Sequence, residues 1–469
     1  MILYKKISKE DRILAKDKKI FVCSECGYES PKYWGKCPDC GNWNTFSEFS
    51  KKELDLVNSK SSVFTPKVTN LKDVNTKEDM RFTTSISELD NVLGGGIVAS
   101  SLVLVGGEPG IGKSTLLMQT AHNVSMIGKR VLYASSEESL SQLKLRLDRL
   151  DLKGSDILVL SNTDIEQIIE SAKENKADLL IIDSIQTVRS ANIPSAPGTI
   201  TQVRECTNLL MNFAKATNTS VFIVGHITKQ GTIAGPKTIE HMVDTVMYFE
   251  SESNSSLRIL RLSKNRFGSS EEIGVFEMTR KGLECVTNPS RLLLEDRENR
   301  SYGSVICSIM EGNRSVLIEI QALAMMSSFQ VPRRVSTGFE YNRFVQILAV
   351  IEKMTNVKLH STDVYLNVVG GVRVKETASD LAVACAVISS MLKKEIPINT
   401  IIIGEVGLCG EIRKINNIFK RIKEANSLGF KKAIIPRNSL DEHEDISNLN
   451  IEIIEISTLK ECVFKLFNN

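Results

Sequence analysis

The stretch SLVLVGGEPGIGKST, residues 101–115, decides the fold of this chain. It runs from an apolar, β-branched segment into a glycine-rich loop of the pattern G-x-x-x-x-G-K-S, and a helical pattern follows. The N–H groups of such a loop and of the helix after it bind phosphate oxygens. In this pattern Lys113 reaches the β- and γ-phosphates, and the Ser114 hydroxyl is placed for Mg²⁺. The stretch therefore predicts a site for ATP and Mg²⁺. The residues predicted to bind the nucleotide are Gly107, Glu108, Pro109, Gly110, Ile111, Gly112, Lys113, Ser114 and Thr115.

Short apolar runs on both sides of this loop alternate with helical patterns. Strand-like runs occupy residues 101–107, 130–135, 156–161, 177–183 and 220–225. Helical patterns occupy 114–127, 138–150, 164–175 and 200–217. This alternation indicates a parallel sheet that helices cover on both faces. After residue 246 strand-like segments follow one another directly, which predicts an antiparallel extension of the same sheet.

Carboxylates follow two of the predicted strands. LLIID ends at Asp183, which suits an acid on the metal side of the nucleotide, although it could also cap the next helix. YASSEES places Glu137 and Glu138 beside the phosphate loop. We expect Glu137 to polarise the attacking water, with Glu138 as the alternative, although both could be first-turn helix acids. The order of loop, glutamate and aspartate is that of RecA-type motors.

Two loops and a histidine complete the predicted core. His226 ends the strand-like VFIVGH, where RecA-type folds sense the γ-phosphate, although it could equally be structural. Segments 190–199 and 228–238 are rich in Gly, Pro and Ala. With Lys229 and Lys237, such loops can follow a DNA backbone without reading bases. The alternative is that both are simple surface loops.

Four of the ten cysteines form a metal-binding pattern near the N-terminus. Two CxxC pairs, Cys23 with Cys26 and Cys37 with Cys40, are each followed by a glycine. Such pairs supply four thiolates to a tetrahedral Zn²⁺ and leave no position open, so the zinc is expected to be structural. Clustering of this kind argues for metal and against a disulfide framework.

The bulk properties exclude several classes of protein. The chain has 469 residues, which is enough for two to four domains, and its net charge is only +3. Nucleic-acid contact must therefore come from local patches. No apolar run is long enough for a membrane span, and the start of the chain lacks a signal core. We expect a cytoplasmic protein.

The pentapeptide KNRFG, residues 264–268, follows the strand-like segment LRILRLS. Alone it could be a basic turn at a strand end. Together with the cysteine pairs and GGEPGIGKST, in that order along the chain, it resembles the RadA family of bacterial DNA repair and recombination proteins. KNRFG is the hallmark of that family, and the resemblance covers essentially the whole chain.

The resemblance implies a homo-hexameric ring of RecA-like cores around DNA that drives branch migration and unwinding with ATP. It implies single-stranded and branched DNA as partners, together with the RecA recombinase and association with the nucleoid. In such rings ATP lies between subunits. By resemblance, Lys264 and Arg266 are the cations that each subunit offers to the γ-phosphate of its neighbour.

The C-terminal third resembles the Lon protease domain without its catalytic dyad. Ala378 occupies the nucleophile position, with Ser379 next to it, and Asp380 replaces a glycine of the Lon motif. Phe419 occupies the lysine position, and the adjacent Lys420 would point about 100° away on a helix. We therefore expect an inactive protease domain that serves oligomerisation and DNA contact. Its basic candidates for DNA contact are Arg314, Arg333, Arg334, Arg343 and Lys375.

The predicted architecture is α/β and multidomain. An N-terminal arm and zinc ribbon occupy residues 1–50, a linker 51–80, a RecA-like P-loop ATPase core 81–288 and a Lon-protease-like α/β domain 289–469. The leading hypothesis is a DNA-dependent ATPase motor. An ATP-switched ring scaffold that does not translocate is the alternative. A Lon-like peptidase is opposed by Ala378 and Phe419.

Overall fold

The computed structural model describes residues 19–23, 28–39, 41–50, 81–154, 156–226, 236–251, 257–294, 301–440 and 446–467. The predicted linker at 51–80 lies outside these ranges, as do residues 1–18 of the predicted arm. Most of the predicted second DNA loop, namely its residues 228–235, also lies outside them.

A small antiparallel sheet forms the N-terminal unit. Its strands, in the order β2-β1-β3, are β1 (Lys19–Cys23), β2 (Glu29–Ser30) and β3 (Phe46–Ser50). Cys23 and Cys37 are buried together with Phe46, and the ring of Phe21 packs against them. This cluster is too small to stabilise a fold without a further crosslink, which is the situation in which a bound metal supplies folding energy.

The second unit is an α/β core. Its strands are β4 (Arg81–Phe82), β5 (Ile97–Val98), β6 (Leu102–Gly107), β7 (Val131–Ser135), β8 (Ile157–Ser161), β9 (Leu179–Asp183), β10 (Ser220–His226), β11 (Thr245–Ser251), β12 (Leu257–Asn265), β13 (Ile273–Thr279) and β14 (Gly282–Cys285). Its helices are α1 (Ser87–Val92), α2 (Lys113–Met126), α3 (Leu140–Arg149), α4 (Ile165–Glu174), α5 (Ile200–Thr217) and α6 (Pro236–Ile239).

Within the described part of this core, nine strands form one sheet in the order β14-β13-β12-β11-β6-β10-β9-β7-β8. The strands from β11 to β8 pair in parallel, whereas β12, β13 and β14 pair antiparallel. Along β6, Val103 and Val105 pack into one apolar cluster while Leu102 and Leu104 pack into another on the opposite face. Both faces are therefore covered, and the predicted parallel sheet with an antiparallel extension is confirmed.

Strand β8 is less covered than the predicted sheet with helices on both faces implies. Its apolar sequence ILVLS resembles those of the central strands, but among the described strands it pairs with β7 alone and is the last strand of the sheet. Leu158 and Val159 are each 41% exposed. An apolar run thus predicts a strand but does not predict whether a neighbour covers it.

The C-terminal unit is a second α/β domain. Its strands are β15 (Ser304–Glu311), β16 (Arg314–Met326), β17 (Arg334–Thr337), β18 (Thr362–Val368), β19 (Thr400–Ile402), β20 (Glu405–Val406), β21 (Ile412–Arg413), β22 (Lys432–Pro436) and β23 (Glu452–Ile456). Its helices are α7 (Pro289–Leu294), α8 (Tyr341–Met354), α9 (Asp380–Leu392), α10 (Ile418–Ser427) and α11 (Leu459–Phe467). In the described residues the main sheet has the order β17-β18-β16-β15-β19-β22-β23. Helix α9 is buried along nearly its whole length, which its apolar sequence LAVACAVI explains.

One ion pair lies beside the predicted position of the Lon nucleophile. Ala378 is buried just before α9, and the Asp380 carboxylate accepts hydrogen bonds from Arg343 Nε at 3.1 Å and from the Val406 N–H at 3.2 Å. On α10, Lys420 is exposed and donates to the side-chain oxygen of Asn313. Ser379, next to the nucleophile position, donates from its hydroxyl to the Glu376 carbonyl at 3.2 Å. The residues next to the two dyad positions therefore contact different partners.

All four arginines predicted to contact DNA make contacts within the chain. Arg343 pairs with Asp380, Arg334 donates to the Leu359 carbonyl at 2.7 Å, and Arg314 pairs with Glu88. The Arg333 guanidinium lies over the Phe329 ring at 4.0 Å. Lys375 is exposed. The sequence shows that these side chains are basic, but it cannot show which of them an acid already holds.

The C-terminal domain is joined to the ATPase core through a buried carboxylate. Glu88 on α1 accepts from Arg314 Nη1 at 3.0 Å and from the Val275 N–H of β13 at 3.0 Å. The Glu88 side chain is only 3% exposed. Arg314 also donates to the Thr287 carbonyl. Because Arg314 lies at the start of β16, these two contacts hold the turn between β15 and β16 against the core.

Arg314→Met tests this joint. It removes the guanidinium that faces the buried Glu88 carboxylate, and breaking such a pair costs roughly 3 kcal/mol. We expect the thermal unfolding midpoint of the core to fall, as followed by differential scanning calorimetry. Arg413→Met is the matched control, because Arg413 pairs with Glu411 at the exposed surface and such pairs contribute little. Equal shifts in the two variants would contradict the role assigned to Arg314.

No helix within the described ranges combines the length and the apolar character that crossing a bilayer requires.

Candidate nucleotide site

The loop between β6 and α2 depends on glycines at its two ends. Gly107 has φ of +151°, and a Cβ there would lie 3.0 Å from the Phe249 carbonyl oxygen on β11. Gly112 has φ of +121°, directly before the first turn of α2, which carries Lys113, Ser114 and Thr115. Residues with a side chain rarely adopt these angles. The loop can therefore turn tightly and present its N–H groups at the helix N-terminus.

The Lys113 amine lies inside this loop. Its Nζ donates to the carbonyls of Gly107 at 2.8 Å and of Glu108 at 2.9 Å. Burial lowers the pKa of Lys113 to about 8, although the nearby Asp183 and Glu137 carboxylates favour the charged amine. Phosphate oxygens would replace the loop carbonyls as acceptors and favour the charged form further.

Asp183 ends β9 next to Ser135, which ends β7. Its Oδ2 accepts a hydrogen bond of 2.5 Å from the hydroxyl of Tyr133, which is completely buried. Burial, and then the Asp183 charge, raise the pKa of Tyr133, so that the phenol remains a donor. No described residue donates to Asp183 Oδ1. One carboxylate oxygen is therefore fixed while the other remains available to a metal ion.

Glu137 and His226 share one contact beside the loop. Glu137 Oε1 accepts from the buried Ser184 hydroxyl at 2.5 Å and lies 3.3 Å from His226 Nε2. His226 pairs in register with Gly107, the first residue of the phosphate loop. The structure thus brings Lys113, Asp183, Glu137 and His226 to the same carboxyl edge of the sheet.

The Glu138 side chain contacts α3 and not the phosphate loop. Its Oε1 accepts from Arg146 of α3 at 2.5 Å, and its N–H donates to the Ser135 hydroxyl at 3.0 Å. Glu137 is the acid that faces the phosphate loop, whereas Glu138 faces α3. This geometry favours Glu137 as the group that orients water.

The first predicted DNA loop is more ordered than its composition indicates. The Gln202 side chain is buried, and its amide nitrogen donates to the carbonyls of Ser190, Ile193 and Ser195 at 3.2, 2.9 and 3.0 Å. Its Oε1 accepts from the Ser190 N–H at 3.0 Å. Residues 190–199 are therefore wrapped around one glutamine. Of the second loop, Lys229 lies outside the described residues, as does the side chain of Lys237.

The KNRFG turn lies at the opposite end of the strands from the phosphate loop. Asn265 pairs with Thr245, which pairs with Val103 near the start of β6. Gly107 lies four residues further along β6, a distance of about 13 Å at the rise of a strand. The structure therefore does not bring Lys264 and Arg266 to the phosphate loop of the same chain.

The two cations of this turn have different environments. Lys264 Nζ donates to the carbonyls of Glu240, His241 and Val243 at 2.9, 3.2 and 2.8 Å. Burial, and then the nearby Arg266 charge, lower the pKa of Lys264. The Arg266 side chain is 52% exposed. Arg266 is therefore better placed than Lys264 to reach another molecule.

Asn265 and Arg81 hold the turn, and no role was predicted for either of them from the sequence. Asn265 Oδ1 accepts from the Phe267 N–H at 3.0 Å, the local bond of an Asx turn. An asparagine two residues before a turn amide is the signal that could have identified it. Arg81 donates to the carbonyls of Phe267 at 2.8 Å and of Leu93 at 2.9 Å. No local signal predicts that contact, because 186 residues separate Arg81 from Phe267.

The described zinc-ribbon residues fit a metal site. Cys23 N–H donates to the Tyr28 carbonyl at 3.0 Å, and Cys37 N–H donates to the Asn42 carbonyl at 2.8 Å. The N–H of the first cysteine in each CxxC pair is thus held by a carbonyl that follows the pair, which is compatible with zinc knuckles. Cys26 and Cys40 lie outside the described residues. The burial of Cys23 beside Cys37 is compatible with a shared ion.

Family models match each of the three units. The model for a rubredoxin metal binding domain matches residues 21–48, that for an AAA domain matches 65–232, and that for subunit ChlI of Mg-chelatase matches 340–439. The predicted order of domains along the chain, a zinc ribbon, a RecA-like ATPase core and a Lon-like α/β domain, is confirmed.

Relatives called DNA repair protein RadA match nearly the whole chain. The protein of Halalkalibacterium halodurans is 48% identical over 455 residues, which cover 96% of this chain and 99% of the relative. The proteins of Bacillus subtilis and Aquifex aeolicus are 47% and 46% identical, and the matches cover 96% and 97% of this chain and 99% and 100% of theirs. The crystal structure of the RadB recombinase is 22% identical and covers 44% of this chain and 99% of that chain, with a TM-score of 0.35.

The two glutamates can be distinguished by substitution. Glu137→Gln should reduce kcat for ATP hydrolysis by roughly 10²-fold or more, because it removes the carboxylate beside the phosphate loop. Glu138→Gln should have a small effect, since it weakens only the pair with Arg146. Binding of a fluorescent ATP analogue checks that both variants retain the site. A larger loss of kcat in Glu138→Gln would reverse the assignment.

Proposed function

Since the chain belongs to the RadA family of DNA repair proteins, we propose that it is a DNA-stimulated ATPase of homologous recombination. In this proposal a homo-hexameric ring moves along single-stranded DNA and drives branch migration and unwinding of branched intermediates. The single observation that carries it is the separation of the phosphate loop and Arg266 at opposite edges of one sheet. Such a chain offers each part of the site to a different neighbour, as a ring of head-to-tail contacts requires.

The phosphate side of the proposed site is built within one chain. Loop N–H groups and Lys113 bind the β- and γ-phosphates, and Ser114 and Asp183 hold Mg²⁺. Asp183 fits this role because Tyr133 occupies only one of its oxygens. The ion, when bound, neutralises charge that develops on the phosphoryl oxygens. Glu137 polarises the attacking water from the adjacent strand end.

The neighbouring subunit supplies the remaining charge. Arg266 stabilises the γ-phosphoryl group in the transition state in the manner of an arginine finger. Lys264 assists it, after leaving the three carbonyls that hold it within its own chain. His226 carries the state of the γ-phosphate to the following loop through its contact with Glu137.

DNA contact is proposed for the two loops that follow Asp183 and His226. The hydrogen bonds of Gln202 support a fixed shape for residues 190–199, so backbone N–H groups there can follow phosphates without a change of fold. Aromatic residues are absent from both loops, which favours electrostatic contact over base stacking.

Outside the core, Cys23, Cys26, Cys37 and Cys40 are proposed to bind one structural Zn²⁺. The C-terminal domain is proposed to serve oligomerisation without peptidase activity, since Ala378 lacks a nucleophile. The proposed domain boundaries lie after residues 50, 80 and 288. The RecA recombinase is the proposed protein partner, and the site of action is the nucleoid in the cytoplasm.

One observation favours a second candidate, a ring that binds ATP and partners without moving on DNA. Lys264 is fully engaged by three carbonyls of its own chain, which would suit a static structural role. In this scaffold, nucleotide binding changes the ring but DNA does not change the rate of hydrolysis.

Steady-state ATP hydrolysis with and without single-stranded DNA distinguishes the two functions. The motor predicts several-fold stimulation by DNA and a rate near background for Lys113→Ala, which removes the phosphate contact of the loop. Fluorescence anisotropy of labelled DNA confirms binding in the same samples. An unchanged rate despite bound DNA would contradict the motor and favour the scaffold.

A further inference from the structure

A short segment, residues 240–244, holds both cations of the KNRFG turn. It follows α6 and ends immediately before β11. Its carbonyls accept from Lys264, and the Asp244 carbonyl accepts from the Arg266 N–H at 3.1 Å. The side chains of the turn therefore take their positions from this segment and not from their own strand alone.

Asp244 makes the contact that reaches the Arg266 guanidinium. Asp244 Oδ1 accepts from Arg266 Nη1 at 3.2 Å, and its Oδ2 accepts from the Leu102 N–H at 3.0 Å. The Asp244 N–H in turn donates to the Leu102 carbonyl at 2.9 Å. The Asp244 side chain is only 15% exposed, whereas that of Arg266 is 52% exposed. A fixed carboxylate thus anchors one corner of a guanidinium that otherwise faces outward.

We propose that Asp244 is the positioning residue for Arg266. The inference rests on the proposed function, in which Arg266 serves the neighbouring subunit. An exposed arginine samples many rotamers, and fixing them during the reaction would cost free energy. A guanidinium has five donors, so one bond to Asp244 leaves the others for phosphate oxygens. Pre-orientation of this kind contributes to rate without adding a contact to the substrate.

Asp244 also connects the KNRFG turn to the strand that carries the phosphate loop. Leu102 begins β6, and the same strand ends in the phosphate loop. Through Asp244, the Arg266 that a chain offers to one neighbour is fixed to the strand that carries its own nucleotide site. The carboxylate therefore belongs to the catalytic geometry of the next subunit, although it lies far from the phosphate loop of its own chain.

An aspartate in a comparable backbone setting stands at the equivalent position three strands along the sheet. Asp178 precedes β9 as Asp244 precedes β11, and its Oδ2 accepts from the Arg130 N–H at 2.9 Å. Its Oδ1 lies 3.4 Å from Lys129 Nζ. Asp178 thus reproduces the backbone contact and the ion pair of Asp244 without touching the KNRFG turn. It provides a matched control.

The first test compares Asp244→Asn with Asp178→Asn in ATP hydrolysis. Asp244→Asn should lower kcat between about 10- and 100-fold, the range expected when a catalytic group loses its orientation. Its KM for ATP should stay within about twofold, because the phosphate loop of the same chain is at the other end of β6. Asp178→Asn should retain kcat, and both variants should lose similar thermal stability. Equal kcat in the two variants would overturn the proposal.

The double variant shows whether Asp244 acts through Arg266. Arg266→Ala and Asp244→Asn/Arg266→Ala should have the same kcat, since a positioning residue has nothing left to position. A further loss in the double variant would overturn the proposal. If the single variant Arg266→Ala retains full activity, Arg266 does not act at the neighbouring subunit's site. The proposed function and the proposed role of Asp244 then both fail. If Arg266→Ala lowers kcat but Asp244→Asn does not, the proposed role of Arg266 stands and only the proposed role of Asp244 is wrong.

Should Asp244→Asn not fold, Asp244→Glu replaces it. The glutamate keeps the charge but displaces it by one methylene group, so kcat should again fall while KM is retained. The same comparison with Arg266→Ala then applies.

Discussion

The parallel register of β6 with β10 and β11 determines where the phosphate loop, His226 and the KNRFG turn lie relative to one another. It places His226 beside Gly107 at one edge and Thr245 beside Val103 near the other. Because the antiparallel β12 returns along β11, the KNRFG turn emerges at the edge that the phosphate loop does not occupy. In this account each hydrolysis site is therefore formed by two neighbouring chains. The length of the strands keeps the phosphate loop and Arg266 of one chain apart.

Buried hydroxyl donors fix the two acids at the phosphate edge. Tyr133 holds one oxygen of Asp183, and Ser184 holds one oxygen of Glu137. Each acid thereby keeps a second oxygen for the ligands of the reaction. At the other edge, carbonyls and one carboxylate hold Lys264 and Arg266 in the same manner. Both halves of the proposed site are thus oriented by groups that make no contact with ATP, which is how preorganisation is achieved in proteins.

The fold and the phosphate edge could be predicted because their signals are local. A glycine-rich loop, an apolar strand and a terminal acid each occupy a few consecutive residues, as Lys113 and Asp183 illustrate. The roles of Asp244 and Gln202 could not be predicted, because their partners are brought near only by the completed sheet. Composition alone made residues 190–199 resemble a flexible loop, and it made Arg314 resemble a DNA contact although Glu88 holds it. Pairing between distant residues is the information that a single sequence lacks.

Mixing two inactive variants tests the shared site most directly. Lys113→Ala chains retain Arg266, and Arg266→Ala chains retain the phosphate loop. Native mass spectrometry confirms that the chains assemble together. If each site combines the loop of one subunit with the arginine of its neighbour, random mixed rings should recover about a quarter of the wild-type rate at equal amounts. Mixed rings that hydrolyse no more ATP than either variant alone would contradict the account.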